Sequence, residues 1–139
     1  MTGVDTNVLV DYLVGQQAGH ARARAWLDGG EGPLATTAIN VGEVLRLLSH
    51  PRVFARPTTL AVAVEAVASL LDQRAIRLLD ESPEWLKDLR TLAENHASLR
   101  GNEVFDARIA LCLRWHGVRR ICTHDQDFDK YGFLERVVP

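Results

Sequence analysis

A chain of 139 residues, 47% hydrophobic and 24% charged, carries enough apolar mass for one domain with a real core and does not have the composition of a disordered chain. Its formal net charge of −2 gives no sign of a protein that holds nucleic acid by bulk charge. Of its 16 cationic residues only Lys87 and Lys130 are lysines, a bias toward arginine, which pairs bidentately with phosphate.

Taken in chain order, short β-like runs alternate with helical ones. Residues 2–5 (TGVD) read as a strand, and 7–13 (NVLVDYL) and 20–28 (HARARAWLD) as helices, the second ended by Gly29 and Gly30. Residues 33–37 (PLATT) form a second strand and 38–50 a helix stopped by Pro51. After the proline-bearing loop 51–57 comes a helix over 58–74, apolar almost all round and read as core rather than as a subunit interface. Residues 76–80 are a third strand. A helix over 82–96 follows, with Ser82 as its N-cap and Pro83 at its first position. Beyond the loop 97–102, a helix over 104–117 closes on Gly117, 119–123 form a fourth strand, 125–128 a short helical turn and 134–138 a final strand. No repeat or linker interrupts the pattern, so residues 1–139 are expected to form a single domain. Alternating strands and helices predict an α/β fold: a central, mostly parallel sheet of four to five strands with helices on both faces, successive crossovers alternating between them. In open sheets of this kind ligands bind at the carboxyl ends of the strands, beside a reversal in strand order.

Four stretches place acids where a core would be expected. Asp5 ends the first strand, where it suits a helix N-cap as well as a ligand, and this stretch alone leaves both open. Glu43 lies one step from the apolar stripe Val41, Val44, Leu45 and Leu48, either as an edge acid paired with Arg46 or as an inward carboxylate. Asp106 favours the dipole at the start of its helix, yet Ile109, Ala110 and Leu113 share its face. An acid there is costly unless paired, hydrogen-bonded or bound to a metal. The turn CTHDQDFD holds Asp125, Asp127 and Asp129, and a capping box between Thr123 and Gln126 would account for it without a ligand.

Separately each acid has a structural explanation; together they describe an oxygen-only ligand set for a hard divalent cation, Mg²⁺ or Mn²⁺. Without one, clustered carboxylates raise one another's pKa. Such a centre suits in-line displacement at a phosphodiester. A zinc site from Cys112, His116, Cys122 and His124 lacks the paired spacing of zinc folds. The two cysteines read instead as reduced core thiols of a cytoplasmic protein, and the longest apolar run, LAVAVEAVASLL, is too short for a membrane span. A phosphatase of the haloacid-dehalogenase type would want a second Asp two residues after the first, where Asn7 stands. A response-regulator receiver would want a lysine after a late strand, and none is suitably placed.

On these motifs the whole chain resembles the PIN-domain ribonucleases, specifically the VapC toxins of bacterial toxin–antitoxin pairs: Val4-Asp5-Thr6-Asn7, Glu43 in INVGEVLR, Asp106 in FDARIAL, and Thr123, Asp125, Asp127 and Phe128 in THDQDF. The resemblance implies a PIN-like fold and a Mg²⁺- or Mn²⁺-dependent endoribonuclease. Asp5, Glu43, Asp106 and Asp125 would be the catalytic, metal-binding acids, Asp127 an accessory ligand, and Thr6, Asn7 and Thr123 the groups that orient them. It further implies an RNA substrate, a cognate antitoxin protein and a homodimer. Arg100, just before the Asp106 helix, is the leading candidate for an RNA phosphate contact, ahead of Arg22, Arg24, Arg119 and Arg120. A PIN-like module that binds without catalysis is the alternative.

Overall fold

The structure is a computed structural model and describes residues 1–30 and 32–139. Five strands, β1 (Thr2–Val4), β2 (Leu34–Thr37), β3 (Ile76–Leu79), β4 (Arg120–Cys122) and β5 (Glu135–Val137), make one sheet in the order β3-β2-β1-β4-β5. Every neighbouring pair is parallel. The six α-helices among the described residues are α1 (Thr6–Leu13), α2 (His20–Asp28), α3 (Ala38–Ser49), α4 (Leu60–Gln73), α5 (Trp85–Asn95) and α6 (Glu103–Trp115), and a 3₁₀ turn runs over Gln126–Lys130. The expected α/β architecture is the one observed.

Residues along each strand alternate between two cores. Val4, Leu34, Ile76 and Cys122 pack with α1 to α4, whereas Ala35, Leu79 and Ile121 pack with α5 and α6. Crossovers therefore do not change face one by one, as the sequence suggested. The chain travels from β1 to β3 in one direction across the sheet, so right-handed connections put α1 to α4 on one side; only the reversal to β4 carries α5 and α6 to the other. Cys112 and Cys122 lie in opposite cores.

Three local expectations need correction. Helix α5 begins at Trp85, not Ser82: Ser82 Oγ accepts from the Glu84 N–H at 3.1 Å and its carbonyl from the Trp85 N–H at 3.0 Å, so it closes a turn ahead of the helix. Helix α4 is core on one stripe only, Ala63, Val67 and Leu70, and it exposes Leu60, Val62 and Val64. A fourteen-residue helix on one face of a small sheet has only one side to bury. The box between Thr123 and Gln126 does not form, because Asp125 caps the 3₁₀ turn through the Asp127 N–H.

Strand order reverses between β1 and β4, and their carboxyl ends are joined where the Asp5 N–H donates to the Cys122 carbonyl at 3.1 Å. Gly3 lets α6 approach that point, since a Cβ there would lie 2.9 Å from both δ-carbons of Leu113. Asp106 sits two turns before Leu113 on the same helix face, so this contact sets its height above β1.

Candidate metal centre

Asp5 caps α1 and is only 5% exposed. Its carboxylate accepts four hydrogen bonds. Oδ1 takes the Thr6 N–H at 2.8 Å and Asn40 Nδ2 at 2.9 Å; Oδ2 takes Asn7 Nδ2 at 2.7 Å and Thr123 Oγ1 at 2.6 Å. These come from α1, α3 and the end of β4, so one carboxylate fastens three elements.

The donors are themselves fixed. Asn7 Nδ2 also donates to Thr123 Oγ1 at 2.9 Å, and its Oδ1 accepts from the His124 N–H at 3.2 Å. Thr6 Oγ1 donates to Glu43 Oε2 at 2.8 Å while accepting from Asn40 Nδ2 at 3.1 Å. Glu43 is thus held toward α1, and the pairing with Arg46 does not form among the described residues. Thr123 Oγ1 further accepts the Asp125 N–H at 3.0 Å, which ties the loop after β4 to Asp5.

Asp106 enters from the first turn of α6, Asp125 from the loop after β4 and Asp127 from the 3₁₀ turn that Asp125 caps. One carboxylate oxygen from each of these three lies within 4.8 Å of the others. Asp5 and Glu43 line the same pocket with Asp106 and Asp125, alongside the tighter triad rather than within it. The sequence reading had Asp127 as an accessory; by distance it stands with Asp106 and Asp125. Cys112, His116, Cys122 and His124 form no such group among the described residues. Cys112 Sγ and His116 Nε2 both meet the Asp80 carbonyl, and His124 Nε2 lies 3.1 Å from Asp11 Oδ2.

The electrostatics fit a cation. Burial, reinforced by Asp125, Asp5 and Glu43, pushes the Asp106 carboxyl up to about 7, against a partial offset from Lys130. Burial likewise raises Asp5 to about 6, even though Thr123 and Thr6 hydrogen-bond its charged form. The donors are all carboxylate oxygens, their charges repel, and they surround an open pocket. That is the donor chemistry of Mg²⁺ or Mn²⁺.

Two residues here escaped the sequence reading. Asn40 is 1% exposed and bridges Asp5 to Thr6; its only signal was an amide on the buried line shared with Val44 and Leu48. Asp11 lines the pocket one helical turn after Asn7. Arg100, expected near the site, instead donates through Nε to the Ser98 carbonyl and lines neither this pocket nor the cavity beside it.

Comparison with known proteins is concordant. A PIN-domain family model matches residues 4–134. Ribonuclease VapC24 of Mycobacterium tuberculosis is 31% identical over 136 residues, covering 96% of this chain and 92% of the relative. Ribonuclease VapC48 of the same organism is 32% identical over 87 residues, covering 63% of this chain; the match spans 59% of that relative's length. Among solved structures, M. tuberculosis VapC20, described as a Sarcin-Ricin loop cleaving toxin, superposes with a TM-score of 0.74 at 23% identity, over all of both chains. VapBC2 from Rickettsia felis, solved with a DNA fragment from its promoter, gives a TM-score of 0.67 at 16% identity, over 99% of this chain and 97% of that one. At these identities the structural likenesses bear on fold alone.

Proposed function

The chain belongs to the PIN-domain family, among the VapC-type ribonucleases, and from that premise we propose that it is a metal-dependent endoribonuclease, the toxin of a toxin–antitoxin pair. The observation that carries this reading is the convergence of one carboxylate oxygen each from Asp106, Asp125 and Asp127 within 4.8 Å, where Asp106 and Asp125 also line a pocket with Asp5 and Glu43 at the strand-order reversal.

In this reading Asp106, Asp125 and Asp127 hold the cation, and Asp5 and Glu43 complete the negative wall that favours it. When bound, Mg²⁺ or Mn²⁺ supplies the positive charge that activates water and stabilises the leaving oxygen of an in-line phosphodiester displacement. The chain's own contribution is order. Thr6, Asn7, Asn40 and Thr123 fix the carboxylates before substrate arrives, which spares reorganisation during the reaction. Thr6 occupies one oxygen of Glu43, Oε2, and leaves the other for water or substrate. Lys130 lies close enough to Asp106 to lower its proton affinity.

The reading includes a cognate antitoxin, consistent with a relative solved as a VapBC assembly, and a second copy of the chain. The exposed apolar residues Leu60, Val62 and Val64 of α4 offer such a copy a surface. It also places the protein in the cytoplasm; among the described residues no helix is long and apolar enough to cross a membrane.

The test is cleavage of single-stranded RNA by the purified protein. Activity should require Mg²⁺ or Mn²⁺, vanish in excess EDTA and return when the ion is restored. Asp106→Asn should abolish it while the circular dichroism spectrum stays unchanged. A protein that cuts equally well in EDTA would contradict the reading, and one that binds RNA without cutting under any metal condition would favour the non-catalytic module.

A further inference from the structure

Beside the carboxylates the cleft widens into a cavity of about 670 Å³ between α3 and the start of α6, sharing Glu43 and Asp106 with the metal pocket. That volume lies in the range of small-molecule sites. Phe105, immediately before Asp106, lines the cavity and is 40% exposed. It is therefore not a core residue, although its neighbours Ala107, Ile109 and Ala110 are.

Charge separates the two arginines of this cavity. Arg108 is matched by Glu81, with Nε 2.8 Å from Oε1 and Nη2 on Oε2, and its guanidinium lies 4.6 Å from the centre of the Trp85 ring. Arg46 is exposed, and among the described residues its guanidinium forms no ion pair or hydrogen bond; only its carbonyl is engaged, by the Ser49 hydroxyl. It stands three residues after Glu43 on α3, on the face that turns to the cavity. An unmatched guanidinium and a solvent-facing aromatic ring thus flank one side of the acidic site.

We propose that this cavity is a nucleotide subsite for the RNA next to the cleaved bond, with Phe105 stacking on an unpaired base and Arg46 holding a phosphate. The inference rests on the ribonuclease reading and deepens it. Stacking needs a base free of its neighbours, which a duplex does not offer and a loop or single strand does. An aromatic face accepts every base, so the subsite selects for an unpaired nucleotide more than for its identity. The position of Phe105 beside Asp106 couples that selection to the metal pocket: a base seated on the ring brings its own phosphate toward the carboxylates.

The experiment uses a single-stranded RNA oligonucleotide carrying 2-aminopurine beside the cleaved bond, with wild type, Phe105→Ala, Phe105→Tyr and Arg46→Gln. Phe105→Ala should raise KM about tenfold, falling mainly on KM rather than kcat, and Phe105→Tyr should restore most of the loss. Wild type and the Tyr variant should quench the 2-aminopurine fluorescence, and the Ala variant should not. Arg46→Gln should reduce the slope of log binding constant against log salt by about 0.7, the share of one phosphate contact on a single strand. Wild-type KM and full quenching in Phe105→Ala would overturn the proposal while leaving the ribonuclease reading intact. So would a Phe105→Ala protein that loses Mn²⁺ affinity in parallel with KM, since the residue would then be structural. A wild type that cuts no RNA would overturn both.

Discussion

Asp5 is a buried anion whose four oxygen lone-pair positions are all occupied by donors. Burial and the neighbouring acids favour its protonated form; Thr6, Asn7, Asn40 and Thr123 favour its charged form, and burial prevails. Asn40 is the donor with the widest reach, since its amide also meets Thr6, which in turn holds Glu43. Asn40→Ala removes four side-chain hydrogen bonds, those donated to Asp5 and Thr6 and those accepted from the Thr37 N–H and hydroxyl, and leaves the Asp5 carboxylate short of a partner. The expected cost is about 1–3 kcal/mol in urea unfolding at pH 8, with a smaller loss at pH 5 where Asp5 is protonated. An equal loss at both pH values would mean that Asn40 acts through its capping box with Thr37 alone.

At the scale of elements, the close approach of α6 to β1 sets the site. Gly3 leaves room for Leu113, which is 1% exposed and has nowhere to yield. Gly3→Ala should therefore destabilise the fold by about 1–3 kcal/mol and lower Mn²⁺ affinity by tilting Asp106 away from Asp125. Stability and affinity both equal to wild type would show that α6 is positioned otherwise. Most of the elements were legible in the sequence because caps and breakers punctuate them: Gly29 and Gly30 after α2, Pro51 after α3, Gly117 after α6. The start of α5 was not, because Ser82 and Pro83 suit a turn as well as a first helical turn. The acids stood out because each departs from an apolar pattern. Asn40 and Asp11 did not, because an amide or acid on a helix becomes informative only once its partners on other elements are known. The exposed side of α4 was hidden for a related reason: a helix apolar on every side does not declare which side the sheet will cover.

Across the molecule, the site is a local instability that a cation would relieve. Asp5 and Asp106 ordinarily titrate near 3.8 and are raised to about 6 and about 7. Between those limits the folded chain keeps protons that the unfolded chain has released, so these two groups lower stability as pH rises from about 4 to about 7. Glu103 and Asp129 act oppositely. Lys130 holds the first and Arg136 the second below the usual carboxylate range, and the stability they give is lost as pH falls below about 4. The apoprotein should therefore melt at a higher temperature at pH 5.5 than at pH 8. Added Mn²⁺ should raise the melting temperature far more at pH 8, because at pH 5.5 protons compete for the same oxygens. Equal metal-induced shifts at both pH values, in a scanning calorimeter, would count against a carboxylate centre.

The most direct measurement is Mn²⁺ binding followed by electron paramagnetic resonance on the wild type and on Asp106→Asn, with both proteins verified as folded. The account predicts a saturable site in the wild type that weakens at least tenfold in the variant, because one of three converging oxygens loses its charge. A wild type without a saturable site, or a variant that binds Mn²⁺ as tightly as the wild type, would contradict it.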